Sequence, residues 1–345
     1  MPRTLTLPTP DDLHLHLRDG AVLRAVLPQT ARVFARAIVM PNLVPPVVTT
    51  ADARAYRERI AAAVPDGAAF EPLMTAYLTD ATDPDDLAAG FEEGVFTAAK
   101  LYPAHATTNA AAGVTDVRAL APVFERMQRL DMVLCIHGEV TRPDVDIFDR
   151  EAVFVDEVLA PLRRDFPELR IVLEHVTTAH AVAFVESCDE RLAATITPQH
   201  LLFDRNAMLV GGIRPHLYCL PILKRDRDRT ALRRVVAAGS PKFFLGTDSA
   251  PHTRRAKETA CGCAGVFSAP VALEAYATAF DDIGCLDRLA DFAAGFGRRF
   301  YGLDPNPGTV TLEEAPWTVP ERVAIDDVDD LRPLFAGEEL RWRVR

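Results

Sequence analysis

Eight short apolar runs, separated by longer stretches of helical periodicity, set the tightest limit on what this chain can become. The runs are DLHLHLR (12–18), RAIVMPN (36–42), PLMTAYLT (72–79), FTAAKLYP (96–103), MVLCIHGE (132–139), RIVLEHVTT (170–178), LAATITPQH (192–200) and KFFLGTDSA (242–250). Most are nearly continuous in apolar residues, the pattern of parallel strands buried on both faces. Between them lie ADARAYRERIAAAV (51–64), VTDVRALAPVFERMQRL (114–130), DREAVFVDEVLAPLRRDF (149–166) and RTALRRVVAAG (229–239), with apolar residues at three- and four-residue spacing. Strands alternating with helices eight times predict an α/β fold of the closed (β/α)8 type, a TIM barrel. An open doubly wound sheet is the alternative, and the lack of G-x-G-x-x-G after the first run counts against its dinucleotide-binding form.

A chain of 345 residues suits one such barrel, so residues 1–345 are expected to form a single domain. Two helical stretches, SAPVALEAYATAF and LDRLADFAAGFGRRFYGL, follow residue 266, and the tail from 303 is rich in proline and charge. The region from about 267 to 345 is expected to pack on the outside of the barrel. A net charge of −11 argues against a nucleic-acid partner, which needs clustered Lys and Arg. The six cysteines are scattered, and none belongs to a C-x-x-C pair. The start, MPRTLTLPTPDD, lacks the apolar core of a secretory signal, and no apolar run approaches a membrane span. The expected setting is cytoplasmic, with free thiols and no membrane partner.

The chemistry-bearing residues share one address, the C-terminal end of a predicted strand. His14 and His16 end the first, Lys100 the fourth, His137 the fifth, His175 the sixth and Asp248 the eighth. In a closed barrel those ends converge on one face, where active sites sit. Residues two apart in a strand point the same way, so His14 and His16 face inward together, with Leu13, Leu15 and Leu17 facing the helices. Taken singly, His137 and His175 read best as hydrogen-bonded core histidines. Beside His14 and His16 they complete a set of four imidazoles suited to zinc.

Lys100 and Asp248 each admit two readings. A bare ammonium is expensive to bury, so Lys100 either reaches out to water or is carbamylated by carbon dioxide into an anion that can bridge two metals. Asp248, in FLGTDSAPH, either caps the following turn or touches a metal and exchanges a proton with metal-activated water. Arg18, Asn42 and His252 form a second set able to hold an anionic small-molecule substrate beside the metals.

In order and spacing, DLHLHLRDG, MPNLVPP, TAAKLYP, IHGEV, EHVTT, ITPQH, RPHLYCLPILK and LGTDSAPH resemble the dihydroorotases of the shorter bacterial and yeast-like class, from about Asp11 to Tyr301. The resemblance implies an amidohydrolase barrel that interconverts carbamoyl aspartate and dihydroorotate, in pyrimidine synthesis, as a homodimer. It implies two zinc ions, bridged by N6-carboxylated Lys100 and a hydroxide. His14, His16 and Asp248 would hold the more buried ion and His137 and His175 the other, with Asp248 as proton carrier. Arg18, Asn42 and His252 would take the substrate carboxylate, and backbone groups at Leu220 and Ala264 the ring's amide edge. The segment PAHATTNAAAGV (103–114), with Thr107 and Thr108, matches the family's mobile lid. Leu13 and His105 depart from the family pattern, and neither is a ligand position. His180, His200 and His216 remain; His200 in TPQH and His216 in RPH are expected close to the site face, in roles that support the ligands or the structure. A hydantoinase or dihydropyrimidinase is the alternative, sharing the metals but not needing Arg18, Asn42 and His252. A barrel that only binds partners would need a lost ligand, and none is missing.

Overall fold

In the computed structural model, which describes residues 2–345, all eight apolar runs are strands of one parallel sheet paired in chain order. A first strand, β1 (Thr4–Pro8), precedes them. The barrel strands are β2 (Asp11–Leu15), β3 (Arg36–Val39), β4 (Glu71–Tyr77), β5 (Phe96–Leu101), β6 (Val133–His137), β7 (Arg170–Glu174), β8 (Leu192–Ile196) and β9 (Phe243–Leu245). β2, β6, β8 and β9 are buried along their whole length, as strands covered on both faces must be. Two of the intervening helices begin on side-chain caps: Thr49 and Asp52 form a reciprocal capping box for Thr50–Ala61, and Thr178 caps Ala179–Ser187.

The ring closes between β2 and the residues after β9. Asp248 N donates to His14 O at 2.9 Å, and His16 N donates to Ser249 O at 3.2 Å. Buried Asp12 reinforces this seam, accepting from Thr247 N (2.9 Å), Thr247 Oγ1 (2.6 Å) and His14 N (3.2 Å). Three candidate ligands, His14, His16 and Asp248, therefore sit where the two ends of the sheet are stitched together.

The apolar interior has two main parts. A large cluster fills the space between strands and helices and includes Leu15 and Leu17. A smaller one, with Leu13, Ile38, Ala98, Val133, Cys135, Val172, Ala193 and Phe244, fills the barrel below the strand ends. Leu13 thus faces inward, not toward the helices as strict alternation predicts. The β2–β3 pairing shifts register between Asp12 and Leu15, and such an irregularity lets neighbouring residues share a face. The helix Phe296–Tyr301 seals this inner cluster from below, with Tyr301 Oη 3.2 Å from Cys135 Sγ. Gly297 permits the approach, because a Cβ there would lie 2.8 Å from Phe244 Cδ2.

Residues 150–165 are helical throughout, but the middle turn, Val155–Leu159, widens to a π-turn. Pro161, which has no N–H to donate, follows directly. The tail contributes β10 (Thr309–Thr318), β11 (Val323–Ala324), β12 (Asp330–Leu331) and β13 (Glu339–Val344). β1, β10 and β13 make a three-stranded antiparallel sheet, and Trp342 of β13 is fully buried. The strands of this sheet carry no apolar run as long as those of the barrel, and the partners of β1 in β10 lie about 300 residues away in sequence, as between Thr4 and Glu313. Among the described residues no helix is long and apolar enough to cross a membrane.

Candidate metal centre

Four imidazoles form a continuous row across the C-terminal mouth. Ring centroids are 5.3 Å apart for His16 and His14, 5.0 Å for His14 and His175, and 4.8 Å for His175 and His137. Asp248 Oδ1 lies 3.2 Å from His14 Nε2 and 3.1 Å from His16 Nε2. One donor atom each from His14, His16 and Asp248 falls within 4.8 Å of the others, and the same holds for His14, Glu174 and His175. Burial, above all, pushes the imidazoles toward their neutral form: His14 is lowered, His175 falls well below its ordinary value and His16 drops to about 3. Burial opposes ionisation of Asp248, yet the imidazoles around it hold its carboxyl well below the usual range. Neutral imidazoles and an ionised carboxylate are the protonation states a divalent cation requires.

The backbone is bent to present these groups. Arg18 (φ 58°), His175 (φ 44°) and Asp248 (φ 46°) all occupy the left-handed region that non-glycine residues avoid. Each such residue costs of order 1 kcal/mol or more, and such costs gather at functional sites. Glu151 braces the turn that carries His175. Its buried carboxylate accepts from the backbone N–H and hydroxyl of Thr177 and of Thr178, at 2.6–3.1 Å.

Lys100 is completely buried, and burial lowers its ammonium to about 7. Its close neighbours are the Glu174 carboxylate and the Tyr102 ring, whose centroid is 4.6 Å from Nζ. His175 Nδ1 is buried and has no hydrogen-bond partner among the described residues. An unpaired polar atom of this kind is rare in a finished interior. Together with convergent imidazole and carboxylate donors, it fits a site built around a metal.

His16 Nδ1 stands 2.8 Å from Asn42 Oδ1, which fixes the tautomer that leaves Nε2 free to ligate. His137 Nε2 stands 2.8 Å from Glu139 Oε2, so Nδ1 is the nitrogen it can offer a metal. Arg18 approaches His16 Nδ1 (3.2 Å) and His252 Nε2 (3.3 Å). His252 Nε2 donates to Ala264 O at 3.0 Å, and burial followed by the Arg18 charge holds this ring neutral, down to about 3.

The segment 103–114 lies against this face. Asn42 Nδ2 donates to Thr108 O (3.0 Å), Asn109 Nδ2 to Asn42 O (3.0 Å), and Thr108 Oγ1 to Ala264 O (3.3 Å). The pocket at this mouth is bounded by His14, His16, Arg18, Asn42, Tyr102, Thr107, Thr108, His137, His175, Leu220, Asp248 and Ala264, among others. His252 reaches the pocket only through Arg18 and Ala264. His180 and His216 lie away from it, bonded to Asp156 and Glu258, and His200 is buried against Thr197 and Pro221.

Reading the sequence missed the acidic residues behind the histidines: Asp12, Glu139, Glu151 and Glu174. Glu174 is the most telling, fully buried with Oε1 3.0 Å from His14 Nδ1. A carboxylate behind a ligating imidazole orients the ring and raises its basicity. The available signal was an ionisable residue, Glu174, inside an otherwise apolar strand. Glu174→Gln is expected to weaken metal retention by about 10–100-fold. Metal content after dialysis against graded chelator checks it, and retention equal to the parent protein would remove Glu174 from this role.

The family profile described as "Amidohydrolase family" matches residues 6–312. A curated relative from Erwinia tasmaniensis, named "Dihydroorotase", is 61% identical over 344 residues, covering 99% of this chain and 98% of the relative. The chain belongs to the dihydroorotase family. Solved dihydroorotases agree in fold. The Campylobacter jejuni enzyme superposes with a TM-score of 0.91 at 36% identity, covering 100% of this chain and 98% of the other. The Saccharomyces cerevisiae dihydroorotase, solved with 5-fluoroorotic acid, gives 0.92 at 31%, covering 99% and 98%. An L-hydantoinase from Arthrobacter aurescens shares the fold alone, with a TM-score of 0.80 at 15% identity, covering 98% and 82%. Family and clustered donors together point to a metal cofactor for this dihydroorotase-family chain.

Proposed function

We propose that this chain, acting as one amidohydrolase domain over residues 1–345 and as a homodimer, interconverts N-carbamoyl-L-aspartate and L-dihydroorotate at a two-zinc site. The observation that carries the reading is Arg18 poised within 3.2 Å of a candidate metal ligand, His16, at the same pocket. A guanidinium there serves a substrate that bears a carboxylate beside its reacting amide. The orotate analogue bound by the yeast relative has the same pairing of ring amide and carboxylate.

His14, His16 and Asp248 would hold one ion and His137 and His175 the other, with carboxylated Lys100 between them. Bound there, two zinc ions would polarise the ring carbonyl and make water nucleophilic near neutral pH. Lys100 can become the bridge because burial lowers its ammonium to about 7, leaving much of it as the neutral amine that adds carbon dioxide. Asp248 takes the proton of the attacking water and returns it to the leaving ring nitrogen. Its ionised state and its position 3.1–3.2 Å from both imidazoles suit that task. Asn42 and His252 orient the carboxylate with Arg18, Leu220 and Ala264 face the ring's amide edge, and Thr107 and Thr108 on the lid shut out water.

Arg18→Ala is expected to lower kcat/KM for dihydroorotate by about 2–4 kcal/mol, roughly 30- to 1,000-fold, with metal content unchanged. Steady-state kinetics with metal analysis test this. Loss of metal from the variant, or unimpaired use of dihydroorotate, would overturn the division of roles. Turnover of neutral hydantoins in preference to dihydroorotate by the parent protein would favour the hydantoinase reading.

A further inference from the structure

We infer that Lys257 is a positioning residue for substrate binding: its ammonium ties together the two loops that present Leu220 and Ala264 to the pocket. This rests on the reading of those residues as contacts to the ring's amide edge.

Lys257 ends the short helix Arg254–Lys257 and is 98% buried, being 2% exposed. Its Nζ donates to three backbone carbonyls, Tyr218 O at 2.8 Å, Cys263 O at 2.7 Å and Gly265 O at 2.8 Å. An ammonium has three N–H donors and no acceptor, so the set is saturated. Its partners are carbonyls rather than a carboxylate, and a buried charge held in this way is retained for geometry rather than for ion pairing.

The three carbonyls are placed to matter. Cys263 and Gly265 flank Ala264, and Tyr218 lies two residues before Leu220. Gly265 N also donates to Tyr218 O at 3.0 Å, so the two segments are joined side by side. With the neighbouring peptides pinned from behind, Ala264 O faces the opposite way and accepts from His252 Nε2 (3.0 Å) and Thr108 Oγ1 (3.3 Å). Ala264 is therefore the point where the lid, the carboxylate-binding His252 and the Lys257 clamp meet. The loop has no slack: a Cβ on Gly265 would lie 2.7 Å from Ala250 O and 2.9 Å from His252 Cδ2. Lys257 touches none of the candidate metal ligands. Its contribution falls on interactions made alike in ground and transition states, which appear in KM rather than in kcat.

The test compares the parent protein with Lys257→Met, which keeps the volume and loses the charge, and with Lys257→Arg, whose planar fork cannot converge on three carbonyls. For Lys257→Met, KM for dihydroorotate is expected to rise about tenfold or more, with kcat within about threefold and metal content unchanged. Amide hydrogen exchange across residues 259–266 is expected to quicken in the same variant. Lys257→Arg is expected to raise KM severalfold, and it carries the test if Lys257→Met does not fold. Parental KM in either folded variant overturns the inference, as does a fall in kcat accompanied by loss of metal. A parent protein that does not turn over dihydroorotate fails the proposed function itself, and the inference falls with it.

Discussion

Lys100→Ala is expected to lose bound metal and to lower dihydroorotate turnover by at least about 1,000-fold. The parent protein, freshly purified, is expected to carry about two zinc ions per chain, the spacing of ligands in a two-metal site being what a bridging anion serves. Metal analysis alongside loss of the product or substrate ultraviolet absorbance measures both quantities. The expectation follows from where Lys100 sits. It is wholly buried on β5, it faces Glu174, and the row of imidazoles runs beside it. Left as an ammonium it would set a positive charge beside two cations; converted to a carbamate it would set a negative one between them. The sign of its pH dependence is fixed by the direction of its shift. Burial lowers Lys100 to about 7, so the neutral amine predominates above that value and the ammonium below it. Only the neutral amine adds carbon dioxide. Metal-stripped protein given zinc and bicarbonate is therefore expected to regain activity faster at about pH 8 than at about pH 6. Full turnover by Lys100→Ala, or active parent protein free of metal, would sink the bridged two-metal reading.

Asp248→Asn is expected to lower kcat by about 100- to 10,000-fold while leaving KM for dihydroorotate nearly unchanged. Asparagine keeps the shape and one oxygen facing His14 and His16, but it cannot carry a proton at neutral pH. Asp248 also anchors the closure of the barrel through its own backbone N–H, which donates to His14 O at 2.9 Å, and the substitution spares that bond. A variant with parental zinc content and a kcat within tenfold of the parent would assign the proton transfer to another group. A variant that keeps its fold but loses zinc would show ligation to be the larger of the two roles.

Much of this was legible before any tertiary structure. An apolar strand ending in histidine, lysine or aspartate is an unusual object, because an ionisable side chain at the end of a doubly buried strand needs a reason. Eight apolar strands in alternation with amphipathic helices leave little but a closed barrel, and a barrel brings strand ends to one face. All eight strands form as their apolar runs predict; His14, His16, His137, His175 and Asp248 lie around one pocket, and Lys100 is wholly buried against Glu174. The helix Gly20–Ala31 was not read from the sequence: Pro28 lies inside it, and its Asp19 cap is a local cue without a strong apolar period behind it.

Other features required the three-dimensional arrangement. The sequence by itself determined the barrel class and the identity of the ionisable groups at its mouth, since burial patterns and residue chemistry are local properties of the chain. It did not determine that Leu13 turns inward, because a register shift in β2 is set by the neighbouring strand. It did not reveal the sheet joining β1 to β10 and β13, since β1 pairs with residues about 300 positions further along the chain. Nor did it reveal Glu174 behind His14 or Lys257 behind Ala264, since what makes them matter is a partner 160 residues away, or a carbonyl that every residue possesses. Tertiary structure decided which carboxylate backs which imidazole and which carbonyls meet which ammonium. These are contacts between side chains and backbone atoms that periodicity and residue type do not encode, and only closure of the barrel brings them within bonding distance.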